Sequence, residues 1–181
     1  MHSLTFWRTH TTTWLKALGV LLFAVMTALS AQIKVFLPFS LVPLTFQVLL
    51  VVASGLVLGA RGGLVAQLLY LQMILWGAPL TAAGIGGPAA FISPTAGYLL
   101  AFPAAAALAG WIGKEEGTRI TLRRLLGGIG ALAVIYLCGM TWLSGFVGGM
   151  ANAWQMGVVP FVLADALKII VVIAMLAVGE R

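Results

Sequence analysis

Apolar residues in this chain fall in long unbroken runs and not in alternation with polar ones. Cutting at charged residues, prolines and glycine clusters leaves six such runs: Ala17–Ile33, Leu41–Ala60, Gly62–Pro79, Pro94–Ile112, Leu125–Leu143 and Val158–Val178. Each is in the range of roughly 17 to 25 residues that a helix needs to cross the hydrocarbon core. In lipid, backbone polar groups are satisfied only within helices or closed barrels, and no run has the period of two that a barrel strand requires. The pattern predicts an all-α integral membrane bundle of six transmembrane helices, forming a single domain over residues 1–181.

Composition narrows the reading further. Hydrophobic residues make up 62% of the chain and charged ones 8%, against about 25% charged in an ordinary soluble domain. No separate water-facing domain can be built from that remainder. The net charge of +6 does not indicate nucleic acid, because the basic residues form no stripe with interleaved aromatics. They report orientation instead. Arg8, Lys16, Arg61, Lys114, Arg119, Arg123, Arg124 and Arg181 all fall on one side of the six runs, and only Lys34 lies on the other. Positive residues favour the cytoplasm, so both termini and the loops around Arg61 and Arg119 are expected inside.

The N-terminal segment invites a second reading. Arg8 and Lys16, an apolar stretch and then Ala28-Leu29-Ser30 resemble a secretory signal with a cleavage site. Against removal, Ala24, Ala28 and Ala31 form a small-residue ridge of the kind that packs transmembrane helices; the segment is expected to be retained as the first helix.

Three outer connections follow from this topology: Lys34–Ser40, Leu80–Ser93 and Ser144–Gly157. The middle one contains Gly84, Gly86 and Gly87 and carries no charge. Linkers are normally polar; a Gly-rich apolar stretch is expected to fold back over the outer mouth of the bundle.

Asp165 and Lys168 are the ionisable residues deep within a span, and a charge at a helix centre costs on the order of 2.5 to 3.5 kcal/mol. Three residues apart, they share a helix face. At 1.5 Å per residue they lie roughly 10 and 15 Å below Val158, a depth that suits an outward-facing pocket. A carboxylate only accepts hydrogen bonds and an ammonium only donates them, so the pair suits a ligand with adjacent N–H groups and a carbonyl oxygen, such as a cyclic urea or amide. An internal ion pair that pins two helices is the structural alternative.

Aromatic residues gather toward the outer side: Trp76, Phe91, Tyr98, Trp142 and Trp154. Singly each is an interfacial anchor; together with the loop, some can wall an apolar pocket. Gln47 has two readings, a polar head turned into the bundle or a bond to a neighbouring helix. Cys138, the lone cysteine, is read as a small buried residue, and Glu115 and Glu116 as a solvated cluster. His2 and His10 form no metal-ligand constellation. With no clustered His or Cys, no phosphate-binding Gly-Lys loop and no nucleophile elbow, neither a metal, a cofactor nor an enzyme activity is expected.

Three segments together resemble the BioY family, the biotin-specific substrate-binding (S) components of energy-coupling-factor transporters. They are Pro43-Leu44-Thr45-Phe46-Gln47, Ser93-Pro94-Thr95-Ala96-Gly97-Tyr98-Leu99 after the Gly-rich loop, and Pro160-Phe161 followed by Asp165-Ala166-Leu167-Lys168. The likeness covers nearly the whole chain. Members of that family typically carry glycine where this chain has Ser93, Ala96 and Ala164. The resemblance implies biotin uptake at a prokaryotic plasma membrane, with Asp165 and Lys168 against the ureido ring and Tyr98, Gly84, Gly86, Gly87 and Gln47 lining the pocket. It also implies docking through Ala24 and Ala28 onto a membrane coupling (T) component driven by a pair of ATPases, since no ATP-binding motif occurs in this chain. The partner of the biotin carboxylate is left open; Lys34 is a candidate by charge and side, with water or lipid headgroups as its other contacts.

The rivals are the same architecture tuned to another vitamin, a membrane scaffold and an intramembrane acid–base enzyme built on Asp165. The charge distribution itself is testable on intact cells with an impermeant thiol reagent. A cysteine placed at Ala89 is expected to react from outside and one at Gly117 to be protected; the reverse labelling overturns the orientation.

Overall fold

A computed structural model describes residues 13–114 and 120–178. Among the described residues are six α-helices: α1 (Thr13–Ser30), α2 (Gln47–Leu75), α3 (Ala96–Ile112), α4 (Ile120–Leu143), α5 (Met150–Gly157) and α6 (Val162–Val178). Two short strands, β1 (Lys34–Val35) and β2 (Leu44–Thr45), pair antiparallel between α1 and α2. Arg8, His2, His10, Glu115, Glu116, Gly117, Arg119 and Arg181 lie outside the described residues.

The second and third predicted runs form one helical element bent at Gly59, whose φ of 78° and ψ of 176° break the helical path. Cross-contacts show that its two arms fold back on each other. Gln47 Nε2 donates to Tyr70 Oη at 2.7 Å and Gln67 Nε2 to Ser54 Oγ at 3.1 Å, whereas residues so far apart would be about 20 to 35 Å distant along a straight helix. The six apolar runs therefore map onto α1, the two arms of α2, α3, α4 and α6. Among the described residues α1 and Leu122–Leu143 of α4 are each long and apolar enough to cross a membrane; α2 reaches that length only with its two arms counted together, and α5 with α6 only if their pair, bent by 49°, is one span. Apolar side chains such as Leu18, Leu22, Leu100, Leu137, Ile170 and Met175 stay exposed on the outside of the bundle, as an apolar surround permits.

Boundaries differ from the sequence pattern where irregular backbone intervenes. The run from Leu41 does not become helical until Gln47, because Pro43 and strand β2 occupy its start. The final helix begins at Val162 instead of Val158, after the bend at Pro160. The third outer connection is not all loop, since α5 lies within it. Cys138, expected to be buried, is exposed on α4, a position with no desolvation penalty for a small apolar thiol that faces lipid.

Small residues bring the arms together. A Cβ on Gly55 would strike the backbone of Ala106, and one on Gly110 would meet Gly55 O and Ala60 N at 2.5 Å. This is the close backbone approach that small residues allow in membranes. Ala24 and Ala28, expected to face a coupling partner, are 0% and 4% exposed and belong to the hydrophobic core. Between them Thr27 accepts a hydrogen bond from Gln67 Nε2 at 3.3 Å. That ridge packs α1 against α2 within the chain.

The loop between α2 and α3 does fold back. Gly87 N donates to Ile74 O at 2.7 Å and Tyr70 Oη to Leu80 O at 3.1 Å, while a 3-10 turn at Pro88–Ile92 buries Ala90. Gly84 and Gly87 adopt φ of 73° and 70°, which a side chain disfavours.

Gly55→Val is expected to force the first arm of α2 off α3. Overpacking of this kind costs about 1 to 3 kcal/mol, read as a melting temperature lowered by roughly 2 to 12 °C in detergent; an unchanged melting temperature would show that this arm and α3 are not in backbone contact.

Candidate functional site

A partly open, mostly apolar cavity lies among the β2 segment, the start of α2, α3, α4 and α6, the kind of concave site that small ligands occupy. Its apolar walls include Leu44, Val48, Phe102, Ile135 and Phe161, and its charged side chains are Asp165 and Lys168. Both are buried, at 3% and 9% exposure.

The two charges complete each other. Lys168 Nζ donates to Asp165 Oδ1 at 2.6 Å and to Thr45 O at 2.6 Å, and it lies 5.9 Å from the centroid of the Phe46 ring. Tyr136 Oη donates to the other carboxylate oxygen, Oδ2, at 2.6 Å. Because α6 starts at Val162, Asp165 sits in the helix's first turn and not a third of the way down a span. There the helix dipole favours an anion. The bend before α6 thus places the carboxylate where the backbone helps to hold it.

These contacts fix what remains for a ligand. An ammonium has three protons, of which two are engaged, so one is left to donate to a carbonyl oxygen. Each carboxylate oxygen accepts one protein hydrogen bond and retains capacity for N–H groups. An apolar cavity with one such donor beside free carboxylate lone pairs suits a compact cyclic urea or amide.

Tyr98 and Gln47 both line the cavity. Tyr98 Oη donates to Gly157 O at 2.9 Å, tying α3 to the end of α5. Gln47 fulfils both of its alternatives, lining the cavity while bonding Tyr70 of the second arm. Gly84, Gly86 and Gly87 are not among the lining residues. They shape the loop that brings Thr81 and Ala82 to the wall; a Cβ on Gly86 would collide with Gly77 and Ala78. Of the outer aromatics, Tyr98 alone lines the cavity. Trp76 and Trp154 are exposed, and Trp142 Nε1 donates to Ser93 O at 2.9 Å, joining α4 to the entry of α3.

Sequence reasoning missed Tyr136 and the carbonyl of Thr45. A signal existed for Tyr136: a tyrosine well inside an apolar run needs a partner for its hydroxyl. None existed for Thr45, since a backbone carbonyl has no residue type. Ser93, where the family pattern has glycine, has an ordinary φ of −73° and donates to Ala90 O at 2.8 Å.

Comparison with known proteins matches residues 7–181 to the sequence model of the BioY family. A "Probable biotin transporter BioY" from Pyrococcus horikoshii is 41% identical over 149 residues, covering 82% of this chain and 86% of that protein. The "Biotin transporter BioY" of Rhizobium etli is 35% identical over 162 residues, covering 85% and 86% respectively. The crystal structure of the S-component for biotin from an ECF-type ABC transporter superposes with a TM-score of 0.81, covering 94% of this chain and 95% of that one. At 19% identity this last likeness is one of fold.

Tyr136→Phe keeps the ring and removes the donor to Asp165 Oδ2. A hydrogen bond to a charged group contributes about 1.5 to 3 kcal/mol, so the variant is expected to melt several degrees lower in detergent. An unchanged melting temperature would show that this bond contributes nothing.

Proposed function

This chain belongs to the BioY family and acts in biotin uptake as a multi-pass protein of a prokaryotic membrane, and we propose that it is the subunit that captures the vitamin from the outer side. The reading is carried by one observation: the only charged groups in the cavity wall are an acceptor and a donor three residues apart on α6, hydrogen-bonded to each other and both facing the cavity. The ureido ring of biotin presents two N–H groups flanking a carbonyl oxygen. Its N–H groups bond the remaining lone pairs of Asp165, and its oxygen takes the third proton of Lys168. The thiophane ring and the aliphatic tail lie against Leu44, Val48, Phe102, Ile135 and Phe161. Tyr98 and Gln47 border the same space.

Capture ends in binding, with no bond made or broken in the ligand, and the chain is not an enzyme in this reading. Movement across the membrane requires a membrane coupling component and a pair of ATPases as partners. Tyr136, Thr45 and the first turn of α6 position the two charges before the ligand arrives, so little reorganisation is needed on binding.

Asp165→Asn tests the assignment with least change of shape. The carboxylate accepts from both Tyr136 and Lys168, whereas an amide has one acceptor oxygen and sets an N–H₂ against one of those donors. Loss of one charge-assisted bond, about 1.5 to 3 kcal/mol, predicts roughly tenfold to hundredfold weaker biotin binding. Lys168→Met is expected to weaken binding as well. Titration calorimetry on monodisperse, detergent-solubilised protein reads both, and two variants that bind biotin like the wild type would remove the pair from the site.

A further inference from the structure

Biotin carries a carboxylate at the end of its tail, and the cavity wall offers it no free cation, only the second amide N–H of Gln47. Among the lining residues Lys168 is the one cation, and Asp165 neutralises it at 2.6 Å. The hydroxyl protons are committed as well. Thr81 donates to Ile85 O, Tyr98 to Gly157 O, Thr45 to Gln47 Oε1 and Tyr136 to Asp165. Ser93 gives its single proton to Ala90 O, so Thr95 must donate to Ser93. A carboxylate drawn against this wall would be buried without a counter-charge, which is strongly unfavourable. A tail that ends beside a free cation avoids that cost.

Lys34 is that cation. The β1–β2 register sets it directly opposite Thr45, and in such a pair the Cα atoms are about 4.5 to 5.5 Å apart with both side chains on one face. Thr45 lines the cavity and its carbonyl holds Lys168. The ladder therefore sets the backbone of a second lysine beside the residue whose carbonyl holds the first ammonium. Lys34 is half-buried; its Nζ lies 5.8 Å from the centroid of the exposed Phe36 ring, and it makes no ion pair among the described residues.

Resting on the biotin reading above, we propose that Lys34 receives the ligand's carboxylate at the cavity mouth and makes the site selective for the free acid over uncharged derivatives. The head group is read by Asp165 and Lys168 and the tail by Lys34, so the two ends are recognised by separate residues.

Titration calorimetry on the full chain in detergent, with biotin and its neutral carboxamide as ligands, separates the two ends. Wild-type protein is expected to bind biotin more tightly than the carboxamide. Lys34→Met is expected to weaken biotin binding roughly fivefold to tenfold, the scale of a partly exposed charge-assisted bond, while leaving the carboxamide unchanged. Lys34→Arg is expected to keep the preference for the acid, and raising the salt concentration to erode it in the wild type. Equal weakening of both ligands by Lys34→Met, no weakening of either, or a wild type that does not distinguish them overturns the proposal and leaves the biotin site standing. A wild type that binds neither ligand overturns both.

Discussion

A carboxylate and an ammonium can sit under an apolar wall only if each is the other's partner, and Asp165 and Lys168 meet that condition at 2.6 Å. Either one alone would carry a desolvation penalty of several kcal/mol. The pair leaves lone pairs and protons that need further partners, and the architecture supplies them from distant parts of the chain. Tyr136 reaches across from α4, and the Thr45 carbonyl comes from 123 positions away. The irregular segment before α2 is thus part of the site: its β2 strand exposes a carbonyl that a helix would have consumed in its own ladder.

Behind that pair, rigidity comes from glycine and alanine. Without a hydrophobic force to press helices together in lipid, close van der Waals contact and interhelical hydrogen bonds must do it. Gly55, Gly63 and Gly110 let the arms of α2 and the face of α3 meet backbone to backbone. Gln67 then ties α1 and the first arm of α2 through Thr27 and Ser54. The same economy serves the cavity. Gly139 and Gly157 leave room for the ring and hydroxyl of Tyr98, which a Cβ at either position would strike.

A ligand site built this way separates two tasks. The charged pair is held by partners on two other elements, α4 and β2, while part of the cavity wall comes from β2 and from the loop folded on the second arm of α2. In the proposed reading the head group meets Asp165 and Lys168 in the interior, and the tail meets Lys34, half-buried on β1.

How much of this was legible depends on the range of the interaction. The six apolar runs, Asp165 and Lys168 sharing a face and the fold-back of the Gly-rich loop are consequences of local order: helix period, hydropathy and the cost of isolated charge act over a few residues and leave their mark in the sequence. The inward turn of Ala24 and Ala28, the exposure of Cys138 and the start of α6 at Val162 were settled by tertiary packing. A small-residue ridge looks the same whether its partner is another protein or the next helix of its own chain. Tyr136 and the Thr45 carbonyl join the site for a similar reason. Sequence determined that two opposite charges had to be paired inside an apolar bundle; only the folded chain decided which groups would satisfy the hydrogen-bonding capacity left over, because that depends on contacts between residues far apart in the sequence.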